Sequence, residues 1–124
     1  MRAYCWSIML TCCLGFCAGV PFCAKAGNTV LAGFYGNTLV TVDHGIESHF
    51  WYRSNHTFTG KVLDYAFPLA GTWTAKRDGT VCRIFNPPLP MVSNPDCGPM
   101  LVHRPGDHGK FPNGDSQRLI HGVK

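Results

Sequence analysis

The side chains best suited to chemistry in this chain of 124 residues are histidines, with a tyrosine and an arginine on neighbouring predicted strands. Histidine titrates near neutral pH and can act as a general base. His49 or His56, in one pocket with Tyr52 and Arg83, can abstract a proton next to a carbonyl and stabilise the resulting anion. This is the chemistry of a cofactor-independent lyase or isomerase. The alternative is that Tyr52 packs in the core and Arg83 faces solvent.

Imidazole groups also bind transition metals. A three-histidine site can form if loops that carry histidine meet at one end of the fold, and the residues concerned are His44, His49, His56, His103 and His108. No HExxH motif or equivalent spacing is present, so surface histidines on polar loops are the simpler explanation. We therefore predict no cofactor, with a histidine-bound metal as the alternative.

Large aromatic rings suggest a second kind of site, one that binds instead of reacting. Rings that line a concave pocket hold small, partly apolar ligands. Our candidates for such a pocket are Trp51, Phe58, Tyr65 and Trp73. For any single ring, however, the hydrophobic core is the better-supported location.

The first 26 residues are typical of a secretory signal peptide. A positive charge at Arg2 precedes an almost uncharged segment, and the small residues Ala24 and Ala26 come just before the predicted cleavage site, after Ala26. Polar residues, glycines and a proline interrupt the apolar segment, which favours cleavage over a membrane anchor. We predict a secreted or periplasmic protein with no membrane span after cleavage.

Removal of this leader changes the cysteine count. Five of the seven cysteines lie in the leader, which leaves Cys82 and Cys97. Two cysteines in an oxidising compartment pair, and only one connectivity exists. A metal site shared with His103 and His108 is the alternative, but the short Cys-x-x-Cys spacing of such sites is missing. We predict one disulfide bond.

The charge balance excludes one class of partner. Cleavage removes Arg2 and Lys25 and lowers the net charge from +4 to +2. No run of basic residues is present, and we predict no nucleic-acid partner. The motifs of serine hydrolases and of phosphate-binding loops are also missing.

The elements that position these residues are predicted to be β-strands. Stretches rich in β-branched and aromatic residues recur about every ten residues with turn residues between them. They cover residues 38–42, 48–53, 56–62, 71–76 and 80–85. No long helical periodicity is present. The pattern predicts an all-β fold, either a small antiparallel meander or an open β-barrel.

The distribution of aromatic rings favours the barrel. Phe50 and Tyr52 share one face of their strand, and Trp51 lies on the other. A flat sheet would expose one of these sets, whereas a sheet that curls can bury it.

The region after the last of these strands is rich in proline and glycine. Proline cannot join a central strand, because it has no amide hydrogen to donate. We predict a β-domain over residues 27–103 with a short last strand at 100–103, and an irregular tail over 104–124.

Gly71-Thr72-Trp73, followed by Asp78-Gly79 and Cys82, resembles a pattern in small exported bacterial β-domains of unassigned function. The resemblance covers roughly residues 37–97. Lipocalins also carry a Gly-x-Trp element, but near the start of the barrel, and here it comes late. The resemblance implies an exported β-domain and assigns no functional residue.

Three hypotheses follow for the function. The first is an exported β-barrel that binds a small, partly apolar or aromatic molecule. The second is the lyase or isomerase with a histidine base in the same pocket. The third is an inhibitor or interaction protein that presents the Pro-rich loop 86–99. A homodimer is compatible with each, and the sequence leaves open whether the protein is an enzyme.

Overall fold

The computed structural model describes residues 31–124, so the predicted signal peptide lies outside the described residues. A 3-10 helix, Ala32–Phe34, precedes the strands. The strands are β1 Thr38–Asp43, β2 Ile46–Tyr52, β3 Thr57–Val62, β4 Phe67–Ala75, β5 Thr80–Phe85, β6 Asp96–Pro99, β7 His108–Lys110 and β8 Ser116–Ile120. The prediction of an all-β fold with one disulfide, Cys82–Cys97, is confirmed.

The described strands form one antiparallel sheet in the order β6-β5-β4-β3-β2-β1-β8-β7. The first six strands follow one another as a meander, and β8 then returns to pair with β1. Strand twist curls the sheet into a half-barrel with β6 and β7 at its edges. Because neighbouring strands are antiparallel, the β1–β2, β3–β4, β5–β6 and β7–β8 connections all lie at one end.

A side chain attaches the segment after β6 to β8. Gln117 on β8 is only 8% exposed. Its Oε1 accepts a hydrogen bond from the Leu101 amide at 2.7 Å, and its Nε2 donates to the Pro99 carbonyl at 3.3 Å. A buried amide needs such partners, and here they are backbone groups at the end of β6 and just after it.

The C-terminal region differs from the prediction of an irregular tail over 104–124. It contains β7 and β8, and β8 pairs with β1 from Thr38 to Val42. In β8, Gln117 and Leu119 are buried and Arg118 is exposed, which is the alternation of a half-buried strand. The signal is short and lies among glycine and proline residues, so tertiary pairing is needed to establish it.

The strand predicted at 100–103 is also wrong, because the strand lies earlier, at Asp96–Pro99. It forms an edge of the sheet, where a neighbouring proline is tolerated.

Many of the best-buried side chains lie at the end of the half-barrel where the 3-10 helix packs, which we call the closed end. The 3-10 helix covers this end, and Phe34 meets the Tyr52 ring edge-on at 5.7 Å between centroids. Side chains that are 2% exposed or less here are Leu31, Phe34, Tyr52, Trp73, Val102 and Leu119. The core continues from this end along the sheet through Leu39, Phe50 and Val81, which also border a cavity.

Gly71 on β4 is expected to be intolerant of any side chain. A Cβ there would overlap the Ile84 carbonyl oxygen on β5 and approach the Phe58 ring at 3.0 Å. We expect Gly71→Ala to lower the free energy of unfolding by about 1–3 kcal/mol, the usual cost of overpacking. Gly98→Ala is the matched control, because its Cβ would meet nothing within 4 Å. Urea unfolding monitored by circular dichroism measures the stability of both variants. Equal midpoints for the two would contradict this prediction.

Candidate binding site in the mouth of the half-barrel

The open end of the half-barrel holds a cavity of about 330 Å³, which we call the mouth cavity. Two of the strand connections at this end help to line it, β5–β6 through Leu89 and Val92 and β7–β8 through Phe111 and Asp115. Its volume is within the range of roughly 300–1,000 Å³ that small-molecule sites occupy.

The wall of the mouth cavity is mostly apolar. Inward-facing side chains of β1 to β5 supply most of it, and they include Leu39, Phe50, Val62, Leu69, Val81 and Phe85. Leu89 and Val92, from the Pro-rich loop after β5, extend the wall towards solvent. Successive side chains of a strand point to opposite faces, so charged residues such as Lys61 point outward.

One cationic side chain, Arg83 on β5, is part of this wall. Its Nη2 donates to the Asp96 carboxylate at 2.7 Å, and the two side chains are 19% and 34% exposed. The guanidinium carbon lies 4.4 Å from the Phe50 ring centroid and 5.7 Å from that of Phe85. These distances are typical of cation–π contacts. Arg83 is therefore neutralised by a carboxylate and held between two rings.

Tyr52 lies next to this ion pair. Its hydroxyl oxygen is 3.5 Å from Arg83 Nη1. Burial raises the pKa of Tyr52, and the attraction of Arg83 for the phenolate only partly opposes this effect. The Tyr52 hydroxyl therefore keeps its proton at neutral pH.

Strand register explains why Arg83 and Asp96 meet. The two residues are directly opposite in the β5–β6 ladder, and the next pair along it is Cys82 with Cys97. Successive side chains alternate between faces, so the ion pair faces the cavity and the disulfide lies on the outer face. The disulfide holds β6 in place beside Arg83.

Two carboxylates stand at the rim. Asp43 ends β1 and Asp115 precedes β8, and both line the mouth cavity. The amide of His44 donates to Asp115 at 3.1 Å, and His44 Nδ1 lies 2.6 Å from Asp43 Oδ1. The hydrogen bond from the His44 amide is the main cause that lowers the pKa of Asp115. Asp115 is therefore ionised at neutral pH.

The sequence suggested five histidines as metal ligands. Within residues 31–124, only His44 lies in a group of side chains that could hold a metal ion. Donor atoms of Asp43, His44 and Asp115 lie within 4.8 Å of one another, close enough to hold a cation together. His49, His56, His103 and His108 form no three-ligand group with one another in the described part of the chain.

The four residues suggested for catalysis are not brought into one pocket. His49 lies on the outer face of β2, with Nε2 3.0 Å from a Glu47 carboxylate oxygen. His56 lies at the closed end, where its ring stacks on Trp73 at 4.3 Å between centroids. Tyr52 and Arg83 are neighbours, and of the four Arg83 lines the mouth cavity.

The four rings suggested for ligand binding also lie elsewhere. Trp51 packs on the outer face, and its indole donates to the Thr38 hydroxyl at 2.9 Å. Phe58 and Trp73 are each 1% exposed in the core, and Tyr65 is 70% exposed in the β3–β4 turn.

Sequence reasoning missed the three phenylalanines that do line the cavity: Phe111, just after β7, and two on the central strands, Phe50 and Phe85. Strand alternation carries a usable signal for them, because Phe50 and Trp51 are adjacent and cannot share a face. Once Phe50 is placed inside, Trp51 must lie outside.

The fold and the cavity together define a class of protein: an antiparallel half-barrel with one disulfide and an amphipathic cavity at its open end. Comparison of the chain with protein-family models, with curated proteins and with solved structures finds no match. Within residues 31–124, no helix is both long and apolar enough to cross a bilayer. The disulfide is compatible with an oxidising compartment.

Proposed function

We propose that the protein is exported and binds a small, partly apolar molecule in the mouth cavity. The observation that carries this proposal is the open cavity of about 330 Å³ with an apolar wall. Protein interiors are normally packed to the density of organic crystals. Apolar surface left open in a concave site is a usual mark of ligand binding.

The structure gives less support to the two other hypotheses. The lyase or isomerase hypothesis requires that its histidine base faces the substrate, and neither His49 nor His56 lines the mouth cavity. The Pro-rich loop contributes Leu89 and Val92 to the cavity wall. We therefore assign this loop to the binding site instead of to a separate protein partner.

Binding of a neutral, apolar fluorescent probe such as N-phenylnaphthylamine tests the proposal. Thr41 lines the mouth cavity. Thr72 is exposed on the outer face of β4, where it lines a separate pocket beside the disulfide. We expect Thr41→Phe to weaken probe binding about tenfold, because a ring that displaces about five ligand atoms removes about 1.5 kcal/mol of binding energy. Thr72→Phe makes the same change outside the cavity and should leave probe affinity unchanged.

Two results would contradict the proposal. One is the absence of any fluorescence enhancement with folded wild-type protein. The other is an equal loss of affinity in both threonine variants, which would place the probe outside the mouth cavity. Circular dichroism of each variant establishes that it is folded.

A further inference from the structure

The charges around the mouth cavity are unequal. Its charged lining residues are one arginine, Arg83, and three aspartates, Asp43, Asp96 and Asp115, which gives a net charge of −2. Arg83 and Asp96 neutralise each other at 2.7 Å. The excess negative charge therefore belongs to the rim pair, Asp43 and Asp115.

The rim pair is held at one place by its neighbours. The His44 amide and the Asn113 side-chain amide donate to the two oxygens of Asp115, at 3.1 and 3.0 Å. His44 Nδ1 lies 2.6 Å from Asp43 Oδ1. Two carboxylates are thus gathered above an apolar cavity, with the His44 imidazole beside Asp43. Like charges this close repel each other, and a cation at the rim relieves the repulsion.

We propose that the ligand is a small amphiphilic cation, an inference that rests on the binding function proposed above. Its apolar body lies against the cavity wall, and a protonated amine lies at the rim against Asp43 and Asp115. A volume of about 330 Å³ holds about ten groups of the size of water. An ammonium group suits the rim, because it has hydrogen-bond donors and no acceptor, and carboxylates only accept.

An anionic amphiphile fits the same cavity poorly. Its carboxylate would have to displace Asp96 from Arg83 or lie beside the rim carboxylates. The first change leaves Asp96 without its partner, and the second brings like charges together. A neutral molecule meets neither cost and gains nothing from the rim, so charge at the head group is the variable to test.

Octylamine, octanol and octanoate provide the test, because they share one chain length and differ in head-group charge. Isothermal titration at neutral pH measures the affinity of each for the disulfide-bonded protein. We expect octylamine to bind about tenfold more tightly than octanol, with octanoate weakest, because two surface carboxylates attract the ammonium. The preference for octylamine should shrink as salt is added.

The double variant Asp43→Asn/Asp115→Asn should remove this preference and leave the affinity for octanol unchanged. Asparagine at position 115 keeps one side-chain oxygen that can accept the His44 amide, but it loses the second oxygen that accepts from Asn113. Circular dichroism therefore establishes that the double variant is folded before its affinities are compared. Asp64→Asn is the matched control, because Asp64 is exposed in the β3–β4 turn at the same end and does not line the cavity. It should keep the full preference for octylamine.

The outcomes separate this inference from the binding function. If octanol and the fluorescent probe both fail to bind, the proposed function itself is wrong. If octanol binds and octanoate binds as tightly as octylamine, the function stands and the cationic ligand is overturned. An unchanged preference in the double variant likewise overturns the role given to the rim pair.

Discussion

Replacing Trp73 by alanine is expected to lower the free energy of unfolding by about 3–5 kcal/mol, the usual cost of removing a large buried aromatic side chain. Trp73 is 1% exposed and packs edge-on against Tyr52 at 6.1 Å between centroids. Its indole also donates to the Arg53 carbonyl at 3.0 Å, which would lose that partner. Such a loss is a large share of the roughly 5–15 kcal/mol that stabilises an ordinary domain.

Trp51→Ala is the matched control for this prediction. Trp51 is half-buried on the outer face of the sheet, so its removal should cost less than that of Trp73. Urea unfolding followed by far-ultraviolet circular dichroism measures both changes without relying on tryptophan fluorescence. A larger loss for Trp51→Ala than for Trp73→Ala would contradict the assignment of Trp73 to the core.

The milder variant Trp73→Phe keeps the test useful if Trp73→Ala does not fold. It should be less stable than the wild type and should bind the fluorescent probe with unchanged affinity, because Trp73 lies outside the mouth cavity. Loss of probe binding at unchanged stability would instead make Trp73 a ligand contact.

Reduction of the disulfide Cys82–Cys97 is expected to lower the free energy of unfolding by about 3 kcal/mol. The bond closes a loop with a sequence separation of 15 residues, for which the chain-entropy estimate is about this size. The double variant Cys82→Ala/Cys97→Ala should show a similar loss without reductant. Urea unfolding with and without dithiothreitol, together with thiol titration, measures the effect.

The disulfide should also affect binding, because it holds the edge strand β6 beside β5. Asp96 is the residue next to Cys97, and it neutralises Arg83 in the cavity wall. We expect the reduced protein to bind the probe more weakly under conditions in which it is still folded. Equal stability of the oxidised and reduced proteins would show that strand pairing alone holds β6.

Strands that are adjacent along the chain could be predicted from the sequence, because their signals are local. Residues 38–42 and 80–85 correspond closely to β1 and β5. The turn between β4 and β5 follows from Asp78-Gly79, and Gly79 has the positive φ of 92° that glycine readily adopts. Alternating side chains then divide each strand into two faces.

The pairing of β1 with β8 could not be predicted in the same way. The register joins Leu39 to Leu119 across most of the described chain, and no local pattern encodes such a contact. The same limit applies to Gln117, whose side-chain amide attaches the segment after β6 to β8.

The candidate site was predicted only in part for a related reason. The sequence identified Arg83 but paired it with histidines that lie on the outer face or at the closed end. Alternation shows which residues share a face, but the direction in which the sheet curls decides which face becomes the inside. The position of a core residue along its strand then decides whether it also lines the cavity, as Phe50 does, or does not, as for Phe58.

By itself the sequence determined the β-strand class, the pairing of two cysteines and the two faces of most strands, since these depend on neighbouring residues and on composition. Tertiary structure alone decided the closed end, the mouth cavity and the meeting of Asp43 with Asp115. These features arise where residues far apart in the chain come together. The physical reason is that a curling sheet brings them into contact only when distant strands have paired.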